Sequence, residues 1–428
     1  MKKAVISILG IQNPGYNDEG IPVIKDYEHQ ASYYFSNNIN EVNKYYNTLP
    51  LLIKTYSTTY EIIPIYTELA GNFNKEVLQN AKLSCEFNDE ISLIKDELDY
   101  LSIFTKIDVL VNSYDEVIID LTHGFRHLPI LAIIDIVIQN FNNSSKISHI
   151  LFAKEIIKHT PIKQGEYEIV DLKEYLDIAN ISYVLSSFQD NYTVSKNIRT
   201  SDKDFQVLIS ILSKFSEHIL ANSLITLLNK KDSLVEQISG AINIALEHPK
   251  SKPLTQNLLN TQKHLEIFIK LKNLGRYEQL FELAKIMYSK GYYLNSITLL
   301  NEAISWYCAF KLCDYSSSFL KKYENLISRD SYKLTSSAKN IVKFSFIDKK
   351  YENKLNIVDI ENIQKNISRN KKAKKFVFEL LAKVDRKRNN LAHANSHEAL
   401  KEISDDLQFL FNKFNTYCMK DDVLKLKK

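Results

Sequence analysis

Proline and glycine divide this chain more sharply than any motif does. Six of its eight prolines stand at or before Pro161 and none follows Pro253; beyond that point only Gly275 and Gly291 remain of nine glycines. Proline breaks a helix interior and glycine weakens one. The first part therefore calls for short elements with frequent turns, and the last part is free to run in long helices. At 428 residues, 45% of them hydrophobic and 25% charged, the chain has an ordinary globular composition and the length for more than one core.

In the first part AVISILG (4–10), EIIPIYT (61–67), EVIIDL (116–121), KISHILFA (146–153) and EYEIVDL (166–172) read as strands, short and nearly continuously apolar as buried parallel strands are. DEISLIKDELDYLSIF (89–104) and LPILAIIDIVIQNF (128–141) between them read as helices, and residues 161–172 as an antiparallel hairpin turned at Gly165. Strand–helix alternation predicts an α/β, Rossmann-like layer structure. From about Lys173 the apolar spacing becomes helical: 204–229, 277–291, 293–312 and 374–394 carry apolar residues at i, i+3, i+4 and i+7, and HPKSKP (248–253) is a break. GRYEQLFELAKIMYSKGYYLNSITLLNEA looks like one unit of a helical repeat, but no further copies follow at a fixed period, so an irregular bundle is expected. The boundary is expected near residue 190, giving domains 1–190 and 191–428.

Charge divides at the same place. Residues 1–190 hold 15 Lys and Arg against 26 Asp and Glu, a net of −11; the remainder holds 40 against 25, a net of +15. A basic half suits a polyanionic partner, although lysine-rich helices are also simply well solvated. The four cysteines are scattered and form no CxxC, which fits a reducing cytoplasm and excludes a disulfide framework or a structural zinc. Met1-Lys-Lys runs straight into AVISILG without a signal-peptide pattern. The longest apolar run, Leu128 to Ile134, ends at Asp135, well short of the ~20 residues of a membrane span. No membrane partner is expected.

Two stretches carry chemistry. In Asp120-Leu-Thr-His-Gly-Phe-Arg-His-Leu-Pro129 a buried strand gives way to a helix near Pro129. Ligands of open α/β sheets bind at such carboxyl ends, facing the N–H groups of the next helix. Gly124 allows close backbone approach, and Thr122, His123, Arg126 and His127 offer donors to a phosphate or base. The loop after the first strand places Gly10, Gln12 and Asn13 beside them. Against this stands a plain strand-to-helix turn capped by Thr122, with Asp120 bonded to backbone. The spacing lacks GxGxxG, so no dinucleotide cofactor is expected.

The second stretch is Arg388-Asn-Asn-Leu-Ala-His393. On a helix Asn389 and His393 are i and i+4, whereas Arg388 and His393 lie ~140° apart and do not stack. The arginine must reach around, or a second copy must complete the site. Such a set supports RNA transesterification. A 2′-hydroxyl attacks its own phosphodiester, a histidine of ordinary pKa ~6.5 moves the proton, and an arginine stabilises phosphoryl charge; none of this needs a metal. His397 completes HxxxH, but Ala394 stands where a zinc protease has glutamate. The alternative is a solvated basic helix continuing Lys383, Arg386 and Lys387, with RNKKAKK (369–375) likewise exposed.

Together the motifs resemble a known family. DLTHGFRHLP is similar to the DxTHG signature of CRISPR-associated proteins with a Rossmann-like CARF domain, and RNNLAH to the RxxxxH signature of the HEPN helical domain that follows it. The resemblance covers the whole chain in order, and Phe125 and Arg126 extend the first match. It implies a homodimeric ribonuclease of type III CRISPR defence, activated by a cyclic oligoadenylate, with cyclic tetra-adenylate the expected activator. The activator would contact Gly10, Gln12, Asn13, Asp120, Thr122, His123, Gly124, Phe125 and Arg126. Arg388, Asn389 and His393 would cut single-stranded RNA without metal, leaving 2′,3′-cyclic phosphate ends. Some CARF domains also cut their activator. Gln12-Asn13-Pro14 departs from a glycine-lined first loop, a difference that bears on the activator's ring size. A nucleotide sensor with a non-catalytic helical half, and a ring nuclease with a helical scaffold, are the alternatives.

Overall fold

The computed structural model describes residues 1–12, 14–24, 30–36, 43–95, 100–123, 127–143, 145–158, 164–195, 198–228, 233–347, 352–393 and 399–425. The chain packs as two compact units, one of Met1–Ser187, Thr193–Ser213 and Ala241–Leu259, the other of Phe188–Tyr192, Lys214–Gly240 and Asn260–Lys428. Among the described residues the strands all precede residue 190, but the first unit also takes in helical segments beyond it. Polar contacts explain why. Asp177 accepts from the Ser201 N–H at 2.8 Å and its hydroxyl at 2.6 Å, and Lys250 pairs with Glu174 at 2.7 Å.

The strands are β1 (Lys3–Ile8), β2 (Gly15–Tyr16), β3 (Pro22–Val23), β4 (Ala31–Phe35), β5 (Asn43–Tyr45), β6 (Glu61–Ile65), β7 (Glu116–Asp120), β8 (Ile147–Ile157) and β9 (Glu166–Asp171). Seven form one sheet in the order β5-β4-β9-β8-β7-β1-β6, while β2 and β3 pair as a separate short hairpin. β6, β1, β7 and β8 run parallel; β9 is antiparallel to β8, and β5 to β4. The mixed α/β sheet and the helical second unit are the fold class expected from sequence.

Strand alternation sends successive side chains to opposite faces, and both faces are covered. Ala4, Ile6, Ile8, Val117 and Ile119 meet Ile103 and Ile107 of helix Tyr100–Asn112 and Leu128, Ala132 and Ile136 of helix His127–Asn142. Val5, Ile62 and Ile118 meet Leu49, Leu52 and Ile53 of helix Leu49–Tyr56. That double burial is why these strands are apolar throughout. β1 lies between β6 and β7, so the chain passes to one side of it and then to the other. The carboxyl ends of β1 and β7 consequently form a topological switch point.

Some elements differ from the sequence-based expectations. Residues 89–104 are not one helix: Asp89–Ser92 is a single turn, Leu93 forms a parallel bridge with Tyr66, and the helix proper is Tyr100–Asn112. β9 pairs antiparallel with β8, and residues 161–163, the first arm of the expected hairpin, lie outside the described residues. Residues 204–229 divide into Lys203–Leu220 and Leu224–Leu228, broken where Asn222 takes φ 55°. Residues 374–394 divide into Lys371–Phe376, a π-helical turn at Val377–Leu381, and Ala382–Ala392. A π turn keeps the apolar spacing helical, so the pattern does not betray it.

In the second unit the helix Tyr293–Leu312 is the axis, burying residues on all sides from Ile297 to Leu312. Helices Arg276–Ser289, Ser331–Phe344, Ala382–Ala392 and Leu400–Phe414 pack around it as an irregular bundle.

Candidate functional site

The first site lies at the switch point and is organised by one carboxylate. Ser7 and Asp120 are register partners on β1 and β7, and the Ser7 hydroxyl donates to Asp120 Oδ2 at 2.9 Å. The Thr48 hydroxyl donates to the same oxygen at 2.8 Å, while Thr122 gives its N–H at 3.1 Å and hydroxyl at 2.5 Å to Oδ1. Thr122 Oγ1 in turn accepts from the Ala153 N–H at 2.9 Å. Asp120 is 1% exposed, and both its oxygens are engaged within the protein. Its place in the site is thus to fix the start of the loop, joining β1, β7 and the N-cap residue of helix Leu49–Tyr56.

His123 stands over this knot. The Thr48 N–H donates to its Nε2 at 3.4 Å, which leaves Nδ1 as the ring's donor. Burial lowers its pKa against the opposing pull of Asp120, so the imidazole is a neutral group at physiological pH. The other loop is braced as well: Asn74 donates to the Gly10 carbonyl at 3.0 Å and is itself held by Asn47 at 2.7 Å. Gln12 donates to the Tyr167 hydroxyl at 3.3 Å and accepts from Tyr33 at 3.4 Å. Those two rings stack at 5.1 Å with 14° between planes, and burial raises both phenol pKa values. Tyr33 is 0% exposed and backs the half-buried Tyr167, so the edge offers neutral donors and acceptors and part of the Tyr167 ring, the chemistry of base and ribose recognition. Asn13, Gly124, Phe125 and Arg126 lie outside the described residues.

The second site lies at the end of helix Ala382–Ala392. Arg388 Nη1 donates to Asn389 Oδ1 at 3.3 Å, and the N–H of His393, the helix C-cap, donates to the Asn389 carbonyl at 3.0 Å. Asn389 and His393 are exposed, whereas Arg388 is half-buried and its Nε is buried without an acceptor among the described residues. Arg388 is thus drawn to the amide beside it, and its charge is also felt by Glu302. Burial raises the Glu302 pKa against the attraction of Lys339, Arg388 and Arg276. His397 and Ala394 lie outside the described residues.

Sequence reasoning missed Ser7, Asn47, Thr48, Asn74, Tyr33 and Tyr167 in the first site and Glu302 and Arg276 in the second. One signal was visible: Ser7 is a polar residue inside an otherwise apolar strand. Among the described residues one cluster has metal-ligand types, Asp202, Asp204 and His248. His248 Nδ1 accepts from the Lys250 N–H at 3.2 Å and Nε2 faces Asp202 at 3.1 Å, so the imidazole is satisfied as a structural tie.

No protein-family model matches the chain. A CRISPR-associated protein of Methanocaldococcus jannaschii is 23% identical over 333 residues, covering 69% of this chain and 48% of the relative. The chain spans about half the length of that relative. Csm6 of Enterococcus italicus, solved bound to cyclic hexa-2′-fluoro-hexa-dAMP, aligns with 99% of this chain and 96% of its own at 11% identity. Its TM-score of 0.31 is too low to carry fold or function across. In sequence the chain is similar, at a distance, to a CRISPR-associated protein, and it packs as an α/β unit and a helical unit.

Proposed function

We propose that this chain is a ribonuclease of type III CRISPR defence, switched on by a cyclic oligoadenylate. One observation carries the proposal: a switch-point crevice fixed by Asp120 and a helix end bearing Arg388, Asn389 and His393 occur in the same chain. In this reading Gly10, Gln12 and His123, with Asn13, Gly124, Phe125 and Arg126 of the same loops, hold the activator, cyclic tetra-adenylate, and Thr122, whose two donors go to Asp120, fixes the loop that carries them. Neutral hydrogen-bonding groups and the partly exposed Tyr167 ring suit adenine and ribose.

In the helical unit a substrate 2′-hydroxyl attacks the adjacent phosphorus, the 5′-oxygen leaves, and a 2′,3′-cyclic phosphate remains. His393 moves the proton and Arg388 stabilises the charge on the phosphoryl oxygens. Asn389 orients Arg388, as the bond between them already does. No step requires a metal, and dependence on the 2′-hydroxyl limits the substrate to RNA.

The active form is a homodimer. Arg388 and His393 point about 140° apart on one helix, so a second copy completes the cleft. An apolar stripe supports self-association: Ile130, Ile133, Ile134 and Ile138 are between 44% and 57% exposed on one face of helix His127–Asn142, directly after the crevice loop. The ligand activates by favouring one dimer arrangement over another. No helix among the described residues is long and apolar enough to cross a membrane.

The test is to incubate labelled single-stranded RNA with the protein, EDTA and cyclic tri-, tetra- or hexa-adenylate, beside His393→Ala. RNA cutting that needs the ligand and is lost in the variant supports the proposal. Ligand consumption without RNA cutting would make the protein a ring nuclease; neither reaction would make it a sensor.

A further inference from the structure

Beside the proposed catalytic residues, on the adjoining face of the same helix, lies a cavity of about 280 Å³. It is lined by Lys383, Arg386, Lys387 and Asn390 from Ala382–Ala392 and by Asp406 and Phe409 from Leu400–Phe414, with Leu410 at its base. Residues 383, 386, 387 and 390 follow helical spacing, so one stripe forms the wall. The volume is at the lower end of small-ligand pockets, ~300–1,000 Å³. That is room for one group of a polymer rather than for a strand.

The charges in it are unbalanced. Lys387 is paired with Asp406 at 2.5 Å, which neutralises one cation. Lys383 and Arg386 have no carboxylate partner among the described residues, although the chain holds 51 acidic side chains. Lys383 instead rests over the Phe409 ring at 4.9 Å, and that ring is 42% exposed. Two uncompensated cations, an amide and a ring edge around one small cavity make a receptor for a phosphodiester with its nucleoside. Arg386 stands three residues before Asn389 and seven before His393. Arg386 is ~10 Å from His393 along the helix and Asn390 adjoins Asn389, so the pocket borders the proposed chemistry, within reach of a few nucleotides of one strand.

We propose that this pocket is an RNA subsite, holding a backbone phosphate of the single-stranded substrate a short distance from the bond that is cut. The proposal rests on the ribonuclease reading for its location, but it makes a separate claim about binding. Lys383 and Arg386 supply the attraction, Asn390 a hydrogen bond, and the Lys387–Asp406 pair a fixed wall. Binding there would set how far from the strand's end cleavage occurs and would make long RNAs better substrates than dinucleotides.

The experiment measures affinity and cleavage independently. Fluorescence anisotropy with a fluorescein-labelled 2′-O-methyl decamer reads binding without cutting, at several salt concentrations. The K383A/R386A double variant is expected to weaken binding about tenfold or more at moderate salt, and to lower the slope of log affinity against log salt by about 0.7, the value for one lost phosphate contact on a single strand. The K383R/R386K variant, which keeps both charges, is expected to restore most of the affinity and controls for folding. In cleavage, the double variant should raise KM for a decamer while leaving a dinucleotide's kcat/KM within twofold of wild type. Unchanged affinity and salt slope in the double variant overturn the subsite. If the slope changes as expected but wild type cuts no RNA with any cyclic oligoadenylate, the subsite stands as an RNA-binding site and the ribonuclease reading falls.

Discussion

Asp135 lies in helix His127–Asn142, is 0% exposed, and among the described residues no N–H or hydroxyl group donates to either carboxylate oxygen. Facing it is Asp108 of helix Tyr100–Asn112, whose Oδ1 accepts from Gln139 at 2.6 Å and from Asn112 at 3.0 Å. Two carboxylates can bond to one another only through a shared proton. Burial, then the Asp108 bond and charge, push the Asp135 carboxyl up from 3.8 to about 6, against the weaker opposing pull of Gln139 and Lys146. Between these values the folded chain binds more protons than the unfolded one, so stability falls as pH rises from about 4 to about 6 and stays reduced above that. Just over two units at ~1.36 kcal/mol each sets a ceiling of about 3 kcal/mol. Asp135→Asn keeps the shape and supplies two permanent donors toward Asp108. It is expected to stabilise the sheet unit by about 2 kcal/mol at pH 8 and to give no advantage near pH 4. Urea unfolding at pH 4, 6 and 8, localised by hydrogen exchange in residues 127–142, measures this. A variant that is less stable than wild type at pH 8, or equally shifted at all three pH values, would refute the shared-proton account.

Three further outcomes follow from the packing. At Gly71 an added Cβ would lie 2.7 Å from Tyr66 Cδ2, so Gly71→Ala should cost ~1–3 kcal/mol despite its better helix propensity, read as a fall in the urea midpoint. Burial raises the Asp385 carboxyl, but Lys339 at 2.9 Å and Lys343 at 2.7 Å outweigh it and hold the group below its ordinary range. Its stabilisation is therefore present above pH ~4 and lost as pH falls further; Asp385→Ala should cost about 2 kcal/mol at pH 7 and less at pH 3. Ile133→Glu with Ile134→Glu should convert the proposed dimer to a monomer in light scattering and remove the proposed ligand-dependent RNA cutting, whereas a dimer mass unchanged by the substitutions would remove that stripe from the interface.

The parts of the sheet buried on both faces were legible, because AVISI and EVIID must be apolar to lie between two helical layers. β4 and β5 were not. ASYYF and NKY mix polar and aromatic residues, and NKY lies at the sheet's edge. Asp120-Leu-Thr-His was visible as a strand end with chemistry, but not that Asp120 is consumed by Ser7, Thr48 and Thr122, since those partners come from distant sequence. The helix carrying Arg388 and His393 was legible in type. Its ending at His393, the Arg388–Asn389 bond and the nearby Glu302 depend on tertiary contacts that periodicity does not record.

The account's central claim is that the crevice controls chemistry carried by the helical unit. The measurement is the initial rate of single-stranded RNA cleavage in EDTA against cyclic tetra-adenylate concentration, for wild type, Thr122→Ala and Arg388→Ala. The account predicts a saturable rise in wild type, a curve moved to higher ligand concentration by Thr122→Ala, and a loss of at least a hundredfold at saturating ligand in Arg388→Ala with ligand affinity retained. An RNA cleavage rate indifferent to every cyclic oligoadenylate, or one that survives Arg388→Ala intact, would contradict it.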